Sequence, residues 1–219
     1  MEVCPEQSGN ACRNILASGI ASLNLNITDE KIEQLLSFIK LIEKWNKAYN
    51  LTAIRDGEKM ARLHILDSLA IIPHIEGKRV IDIGTGAGLP GIPLAICLPR
   101  IHFTLLDSNA KKTRFVQQVV LELKLKNVDV IHSRVENYHP ELAYDAALTR
   151  AFANLSEIVK LTAHLLNKNG VLLAMKGQNL DAELADVVAK KSVISLSVPG
   201  TDVERCLVRI QLPEQAEVR

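Results

Sequence analysis

A glycine-rich turn directly after a short apolar run constrains this chain more than any other feature. The segment reads Val80-Ile81-Asp82-Ile83-Gly84-Thr85-Gly86-Ala87-Gly88-Leu89-Pro90-Gly91. The apolar run predicts a buried strand, and the glycines let the backbone approach a ligand because they carry no Cβ. A helix is expected to begin near Pro90, since a proline is tolerated in a first helical turn. Free N–H groups and the positive helix end would then face the turn, which favours a polar or anionic ligand such as a cofactor bearing an adenosine.

The spacing of these glycines bears on which cofactor is expected. A dinucleotide-binding loop has G-x-G-x-x-G directly after its strand and an acidic residue about 20 positions later. Counted from Gly84 the pattern is G-x-G-x-G with Leu89 in the sixth place, so that fingerprint appears only when it is shifted to begin at Gly86. With Asp82 at the strand end, the loop resembles the first motif of Rossmann-like methyltransferases that use S-adenosylmethionine. One alternative is the loop of an NAD-binding oxidoreductase, a different class of enzyme. The other is a glycine-rich turn that binds no ligand.

Composition describes an ordinary globular chain of one domain with an appendage. It has 219 residues, of which 47% are hydrophobic and 23% charged. The 26 basic and 25 acidic residues nearly balance, which excludes a polycationic surface but not a local basic patch. No signal-peptide pattern and no apolar run of about 18 residues occurs, so we expect a cytoplasmic protein without a membrane partner. The cysteines have no C-x-x-C spacing, so we expect free thiols and no metal site at Cys4, Cys12, Cys97 and Cys206.

Hydrophobic spacing divides the chain into three parts. These are a weakly patterned segment (residues 1–27), a helical extension (residues 28–76) and a cofactor-binding domain (residues 77–219). In the first two parts, helices are expected over Cys12–Ser18, over residues 29–49 after an N-cap at Thr28, and over Glu58–Ile72.

The third part alternates strands and helices, which predicts a mostly parallel sheet with helices on both faces. Seven strands are expected, over Arg79–Ile83, His102–Asp107, Val128–His132, Tyr144–Thr149, Val171–Met175, Val193–Val198 and Arg205–Leu212. Helices are expected over Pro90–Leu98, Asn109–Leu125, Leu155–Leu166 and Asp181–Lys190. The last two strands have no helix between them, so we expect an antiparallel C-terminal edge, as in the methyltransferase variant of the doubly wound sheet. The predicted fold class is α/β, Rossmann-like, with an N-terminal helical extension.

Polar residues follow the expected strands at the edge where doubly wound sheets bind ligands. Asp107 lies 23 residues after Gly84, where a carboxylate can accept both ribose hydroxyls or can cap the next helix. Glu136 follows the third strand, where an adenine ring is expected, and is otherwise an exposed loop residue. Cations are slightly unfavourable at a helix N-terminus, so a polyanion nearby is one explanation for the basic run at the start of the long helix, and a solvated face is the other. That run consists of Lys111, Lys112 and Arg114.

The fourth strand is followed by Arg150-Ala151-Phe152-Ala153. It lacks the Asp/Asn-Pro-Pro-aromatic run typical of enzymes that methylate exocyclic amines, and the Pro-Cys nucleophile of enzymes that methylate pyrimidine carbons. Cys97, in the helix after the glycine loop, is interpreted as a core residue. With no evident general base, the pattern suits an acceptor atom that has a free lone pair and loses no proton, such as a purine ring nitrogen. Catalysis would then depend on positioning, and no catalytic residue is assigned.

Seven separate motifs occur in an order that resembles one known family. They are Trp45–Thr52 (WNKAYNLT), His64–Leu69 (HILDSL), Asp82–Pro93 (DIGTGAGLPGIP), Leu106–Ser108 with Lys111-Lys112, Ser133–Glu136, Arg150–Ala153 and Met175–Gly177. These are similar to motifs of the RsmG/GidB family, the bacterial 16S ribosomal RNA guanine-N7 methyltransferases. The similarity runs from about residue 28 to residue 212. Thr149 stands where many members of the family have serine.

The resemblance implies methyl transfer from S-adenosylmethionine to N7 of the guanine at position 527 of 16S rRNA, which leaves S-adenosylhomocysteine. The implied partner is 16S rRNA, as free RNA, in the small ribosomal subunit or in a precursor of it. Residues implied at the cofactor site are Gly84, Gly86, Leu89, Asp107, Val135, Glu136 and Arg150. Candidates for the RNA face are His64, Lys111, Lys112, Arg114, Arg134 and Lys176.

Each of these roles has an alternative. The alternative for His64 is a core histidine on an amphipathic helix, and for Arg134 and Arg150 it is a structural ion pair. Arg134, Arg150 and Lys176 are the candidates for positioning the reactants. A small-molecule methyltransferase and a non-catalytic RNA-binding or assembly module are the alternative functions.

Overall fold

The strands of the second half of the chain form one seven-stranded sheet. The structure is a computed structural model that describes residues 5–177 and 180–212, with side chains from residue 10 onward. The strands are β1 (Arg79–Ile83), β2 (His102–Asp107), β3 (Val128–His132), β4 (Tyr144–Arg150), β5 (Leu166–Lys176), β6 (Lys190–Leu196) and β7 (Arg205–Gln211). Their order across the sheet is β3-β2-β1-β4-β5-β7-β6. Among the described strands, β7 pairs antiparallel with both β5 and β6, and the other pairs are parallel, so the predicted parallel sheet with an antiparallel C-terminal part is confirmed.

The strand order reverses at β1, which positions the candidate site. The chain moves outward from β1 through β2 to β3 and then returns to β4 on the other side of β1. In the register of the sheet, Ile83 lies opposite both Leu106 and Thr149. The residues that follow these three strand ends therefore meet at one edge of the sheet, where doubly wound folds bind ligands.

Helices cover both faces of the sheet. They are α1 (Pro5–Ser22), α2 (Asp29–Tyr49), α3 (Gly57–Met60), α4 (Asp67–Leu69), α5 (Gly91–Cys97), α6 (Ala110–Glu122), α7 (Leu155–Thr162) and α8 (Asp181–Ala185). A π-helix (Ala61–Leu66) joins α3 to α4, and short 3-10 turns cover Ile72–His74, Val135–Asn137 and Ala163–Leu165. Alternate residues of the strands face opposite sides: Val80 belongs to the core cluster that includes residues of α1, α2, α5 and α6, whereas Ile81 belongs to the cluster that includes residues of α7.

The N-terminal helix is longer than predicted. Helix α1 spans Pro5–Ser22, whereas the sequence indicated a short helix over Cys12–Ser18 within a weakly patterned segment. Its buried stripe is narrow, because Cys12, Leu16 and Ile20 contribute one apolar residue per turn. Gly19 allows the helix to approach Leu66, because a Cβ at this position would collide with the Leu66 side chain. The stabilising partner thus lies in a different element, which local spacing does not reveal.

Two further helices differ from the prediction. The helix predicted over Glu58–Ile72 begins at Gly57 and ends at Leu69, and its middle is the π-helix. The helix predicted over Asp181–Lys190 ends at Ala185 instead, because Lys190 already pairs with Gln211 in the sheet. Pairing between strands overrides a weak helical preference there. The predicted helix over residues 29–49 is confirmed, with Thr28 at the N-cap position, although its hydroxyl makes no capping hydrogen bond.

Three of the four cysteines lie within the described residues. Cys12, Cys97 and Cys206 are free and buried, and Cys4 lies outside the described part of the chain. Burial raises the pKa of the Cys97 thiol to about 12, so this residue is a core thiol, as predicted. Within the described ranges, no helix has the length and apolar character needed to cross a membrane.

A buried asparagine organises the turn after α2. Asn46 is 2% exposed, its Nδ2 donates to the Thr52 carbonyl at 2.9 Å, and its Oδ1 accepts from the Thr52 N–H at 3.0 Å. Asn50 ends the helix in the left-handed conformation. The WNKAYNLT motif therefore encodes a helix end followed by a turn that is held by one side chain.

We expect Asn46→Ala to lower the free energy of unfolding by about 1 kcal/mol or more, because it leaves the partly buried N–H and C=O of Thr52 without their partners. Urea denaturation measures this change. Asn14→Ala, on the exposed face of α1, is the control and should change stability by less than about 0.5 kcal/mol. Equal stabilities of the two variants would contradict the role given to Asn46.

Candidate active site

The loop after β1 depends on glycine. Gly84, Gly86 and Gly88 have φ values of +68°, +61° and +81°, a region that L side chains rarely adopt. A Cβ on Gly84 would lie 2.5 Å from Cδ2 of Phe152. The N–H of Gly84 donates to the Leu106 carbonyl at 2.8 Å, which ties the loop to the end of β2. The loop is therefore a fixed feature of the sheet edge.

Asp82 links the two ends of this loop. Its carboxylate is fully buried, and Oδ2 accepts from the Thr85 hydroxyl at 2.6 Å and from the Gly91 N–H at 2.9 Å. Its Oδ1 has no hydrogen-bond partner among the described residues. Burial raises the pKa of Asp82 from 3.8 to about 6, and the hydrogen bonds from Thr85 and Gly91 oppose that shift. The end of β1 and the start of α5 are thus joined through one carboxylate.

Asp107 holds the same loop from the neighbouring strand. Its Oδ2 accepts from the Gly86 N–H at 2.9 Å, and its Oδ1 accepts from the Asn109 N–H at 2.8 Å. The N-cap of α6 is Asn109, whose side chain accepts from the N–H groups of Lys111 and Lys112. Asp107 is therefore not the helix cap, and its carboxylate is oriented by the loop and lines the adjoining cavity.

A cavity of about 380 Å³ lies against the glycine loop, and we call it the first cavity. Its wall is formed by residues at or just after the ends of β1, β2, β3 and β4, together with two residues of α7. The lining residues are Gly84, Leu106, Asp107, Ser108, Lys112, Ser133, Arg134, Val135, Glu136, Ala151, Phe152, Ala153, Glu157 and Leu161. Four predicted cofactor residues are thereby brought together, namely Gly84, Asp107, Val135 and Glu136.

Three other predicted cofactor residues do not line the first cavity. Gly86 and Leu89 lie in the loop behind it, where Gly86 donates to Asp107 and the Leu89 N–H donates to the Thr85 carbonyl. Arg150 lies at the end of β4 and lines a different cavity. Of the predicted RNA residues, Lys112 and Arg134 line the first cavity, whereas Lys111 and Arg114 are exposed beside it on α6.

The second cavity, of about 360 Å³, lies beside the first. It is lined by Ile54, Leu63, His64, Asp67, Arg150, Ala151, Met175, Lys176, Gly177 and Arg205. Ala151 is the residue that lines both cavities, and it has φ of +51°. A left-handed alanine is uncommon and mildly strained. The chain turns there, so that Arg150 faces the second cavity and Phe152 the first.

A buried carboxylate joins two arginines in the second cavity. Asp67 is 2% exposed; its Oδ2 lies 3.1 Å from Nη1 of Arg150 and its Oδ1 lies 3.0 Å from Nε of Arg205. These bonds connect the helical extension to β4 and to β7. A buried charge requires such partners, since an unpaired one is costly.

His64 is neutral in this environment. Burial, helped by the nearby Arg150 charge, lowers its pKa to about 4. Its Nε2 lies 2.8 Å from the Thr52 hydroxyl, and that hydroxyl accepts from the Ile54 N–H. The WNKAYNLT turn thereby orients the imidazole at the cavity wall. A neutral ring offers packing and no positive charge to an anion.

Lys176 forms an ion pair with a carboxylate. Its Nζ lies 2.8 Å from Oε2 of Glu183 and donates to the Ala153 carbonyl at 2.6 Å. The hydrogen bond from Lys176, followed by that from the Leu155 N–H, lowers the pKa of Glu183 despite the opposing effect of burial. Lys176 therefore links the loop after β4 to α8, and its charge is compensated.

Several site residues were not singled out from the sequence. Asp67 carried one usable signal, a carboxylate on the apolar face of a predicted helix. Phe152 was quoted only as part of a motif, and its contact with Gly84 depends on the turn at Ala151. Arg205 carried no local signal, because its partner Asp67 lies 138 residues earlier. Within the described ranges, no cluster of three or more His, Cys, Asp or Glu residues could hold a metal ion.

The strand order and the loop at the end of β1 define a Rossmann-like methyltransferase fold. A solved SAM-dependent methyltransferase from Aquifex aeolicus shares this fold with a TM-score of 0.56 and 16% identity, and the match covers 69% of this chain and 93% of that one. The chain belongs to the GidB family, described as rRNA small subunit methyltransferase G, whose family model matches residues 31–208. The resemblance inferred from the motifs is therefore confirmed.

Close relatives carry the same name. Ribosomal RNA small subunit methyltransferase G of Legionella pneumophila is 49% identical over 198 residues, covering 90% of this chain and 94% of that protein. The protein of that name from Hydrogenovibrio crunogenus is 52% identical over 186 residues, covering 84% and 86% respectively.

The raised pKa of Asp82 predicts a pH-dependent stability. Because the folded state binds this proton more tightly than the unfolded state, the contribution of Asp82 to stability is largest below its unfolded pKa and is lost as the pH rises through about 6. Relative to Asp82→Asn, the free energy of unfolding of the wild type should fall by about 2 kcal/mol between roughly pH 4.5 and pH 7.5. Urea denaturation of both proteins across this range is the measurement. A difference that stays constant or grows with pH would contradict the assignment.

Proposed function

We propose that this protein transfers a methyl group from S-adenosylmethionine to N7 of a guanine in 16S ribosomal RNA, at position 527. The observation that carries the proposal is the pair of adjoining cavities that meet at Ala151. One of them lies on the glycine loop and bears carboxylates, and the other bears two arginines. Membership of the rRNA small subunit methyltransferase G family supports the same reaction. A ribosomal RNA substrate implies a cytoplasmic protein.

The first cavity suits S-adenosylmethionine better than a dinucleotide. A dinucleotide places its pyrophosphate against free N–H groups of the glycine loop. Here the Gly86 N–H already donates to Asp107, and the carboxylates of Asp107, Glu136 and Glu157 line the same cavity. These three carboxylates outnumber the two cations of the cavity, Lys112 and Arg134, which disfavours a pyrophosphate there. The carboxylates can instead accept from ribose hydroxyls and attract a sulfonium or ammonium group. The residues present therefore fit the methyl donor.

The proposed reaction requires no general acid or base from the protein. When bound, S-adenosylmethionine supplies an electrophilic methyl group on a positively charged sulfur. The lone pair of guanine N7 forms the new N–C bond while the C–S bond breaks and its electron pair returns to sulfur, so no proton is transferred. Asp107 and Glu136 would orient the donor, and the loop residues Asp82 and Gly84 would fix its place. The rate gain would come from positioning and from the arrangement of charge.

The rim of the first cavity suits RNA. Lys112 and Arg134 line it, and Lys111 and Arg114 are exposed next to it on the same helix as Lys112. Such cations can hold phosphates while a base is turned out of its stack toward the methyl donor. The acceptor would be 16S rRNA, the small subunit or a precursor. A small-molecule acceptor would favour a closed apolar cavity, whereas these residues are charged.

Cofactor identity and the role of Asp107 are tested by isothermal titration calorimetry. We expect S-adenosylmethionine and S-adenosylhomocysteine to bind, and NAD to show no binding. Asp107→Ala should weaken S-adenosylmethionine binding by at least about tenfold, because it removes a charged acceptor and releases Gly86. Asp129→Ala is the matched control, an exposed carboxylate on the next strand, paired with His102, and should bind within about twofold of wild type. Tight binding of NAD alone would refute the cofactor assignment.

The substrate is tested by mass mapping of 16S rRNA from cells that lack this protein. We expect the 7-methylguanosine at position 527 to be absent, and to return when the wild-type chain is supplied. The same cells supplied with Asp107→Ala should show less of it. Persistence of the modification in the deletion strain would show that the acceptor lies elsewhere.

A further inference from the structure

The second cavity adjoins the first at Ala151, and its composition indicates an occupant of its own. One side is apolar or neutral, with Ile54, Leu63, Met175 and the imidazole of His64. The other side carries Asp67 between Arg150 and Arg205. Apolar side chains and a neutral imidazole beside two arginines match a purine nucleotide, whose base packs on such groups and whose phosphate is anionic.

The charge of this cavity is positive overall. One carboxylate is shared by two guanidinium groups, and the charge of Lys176 is compensated by Glu183. Asp67 uses only Nη1 of Arg150 and only Nε of Arg205, and the other guanidinium nitrogens make no further hydrogen bond within residues 5–177 and 180–212. The side chains of Arg150 and Arg205 are 21% and 31% exposed. Both arginines therefore keep donors available for an anion.

The position of the cavity is also specific. Ala151 lines both cavities, so a base in the second would lie next to a methyl donor in the first. The walls come from the helical extension, β4, β5 and β7, and the bonds of Asp67 hold three of these together. The extension thus supplies one wall of the cavity and the carboxylate that orients its cations.

We propose that the second cavity receives the target guanosine, and that Asp67 is a positioning residue that holds Arg150 and Arg205 toward a phosphate of that nucleotide. The proposal rests on the proposed function for the identity of the nucleotide. Arg150 and Arg205 would contact the RNA, whereas Asp67 acts through them. The alternative is that Asp67 and its arginines only fasten the helical extension to the sheet.

Arg205→Gln separates these two cases, and Arg209→Gln is the matched control. Both arginines lie on β7, both side chains are 31% exposed and both are paired with a carboxylate, but Arg209 pairs with Glu76 away from the cavity. Binding is measured with 30S subunits that lack the modification, over a range of salt concentrations. S-adenosylmethionine affinity is measured by calorimetry on the same preparations.

We expect Arg205→Gln to weaken 30S binding by about fivefold or more, and to reduce the slope of log affinity against log salt by about one. Its affinity for S-adenosylmethionine should stay within about twofold of wild type, and Arg209→Gln should change neither quantity beyond about twofold. In steady-state methylation assays the loss should appear as a higher KM for 30S subunits. A merely structural role would lower stability without changing the salt slope.

Asp67→Asn provides the second arm. It should lower kcat/KM for 30S subunits while S-adenosylmethionine binding is retained, and adding it to Arg205→Gln should produce less than the sum of the two effects, because both act through one contact. Equal 30S binding by Arg205→Gln and Arg209→Gln, an unchanged salt slope, or loss of S-adenosylmethionine affinity in Arg205→Gln would overturn the proposal. If the wild type transfers no methyl group to guanine N7, the proposed function fails, and the binding and salt measurements still decide the role of the cavity.

Discussion

Two carboxylates at the ends of neighbouring strands hold the backbone on which the candidate site is built. Asp82 joins Thr85 to Gly91, and Asp107 joins Gly86 to Asn109. A loop of left-handed glycines has many conformations when unfolded, so its order depends on such fixed acceptors. The burial that raises the pKa of Asp82 is the energetic cost of this arrangement. The same bonds direct the Asp107 carboxylate to the first cavity.

The division of the site into two cavities follows from one backbone turn. At Ala151 the chain leaves β4 in a left-handed conformation, which directs Arg150 and Phe152 to opposite sides. The first cavity carries three carboxylates against two cations, and in the second two arginines share one carboxylate. This separation of charge suits a cationic methyl donor and an anionic nucleic acid side by side. It also explains why Arg150, expected at the cofactor from the resemblance, lines the second cavity and not the first.

Most of the fold could be predicted because it depends on local patterns. The strands Arg79–Ile83, His102–Asp107 and Val128–His132 have the predicted bounds, since apolar runs between turn residues are a local signal. The errors lie where a distant partner decided the outcome. Helix α1 is stabilised by packing against Leu66, and α8 is cut short because Lys190 pairs with Gln211. The π-helix that carries His64 likewise had no signature in the spacing.

The sequence by itself determined the order of strands and helices, the glycine loop and the family motifs, because these depend on residues that are neighbours along the chain. It also indicated Gly84, Asp107, Val135 and Glu136, which follow strand ends that the topology brings to one edge. Only the tertiary structure decided that Asp67 joins Arg150, 83 residues later, and Arg205, 138 residues later. It likewise decided that His64 is neutral and that Lys176 is paired. The physical reason is that burial and ion pairing depend on which distant segments of the chain come into contact. A local sequence pattern carries no information about such contacts.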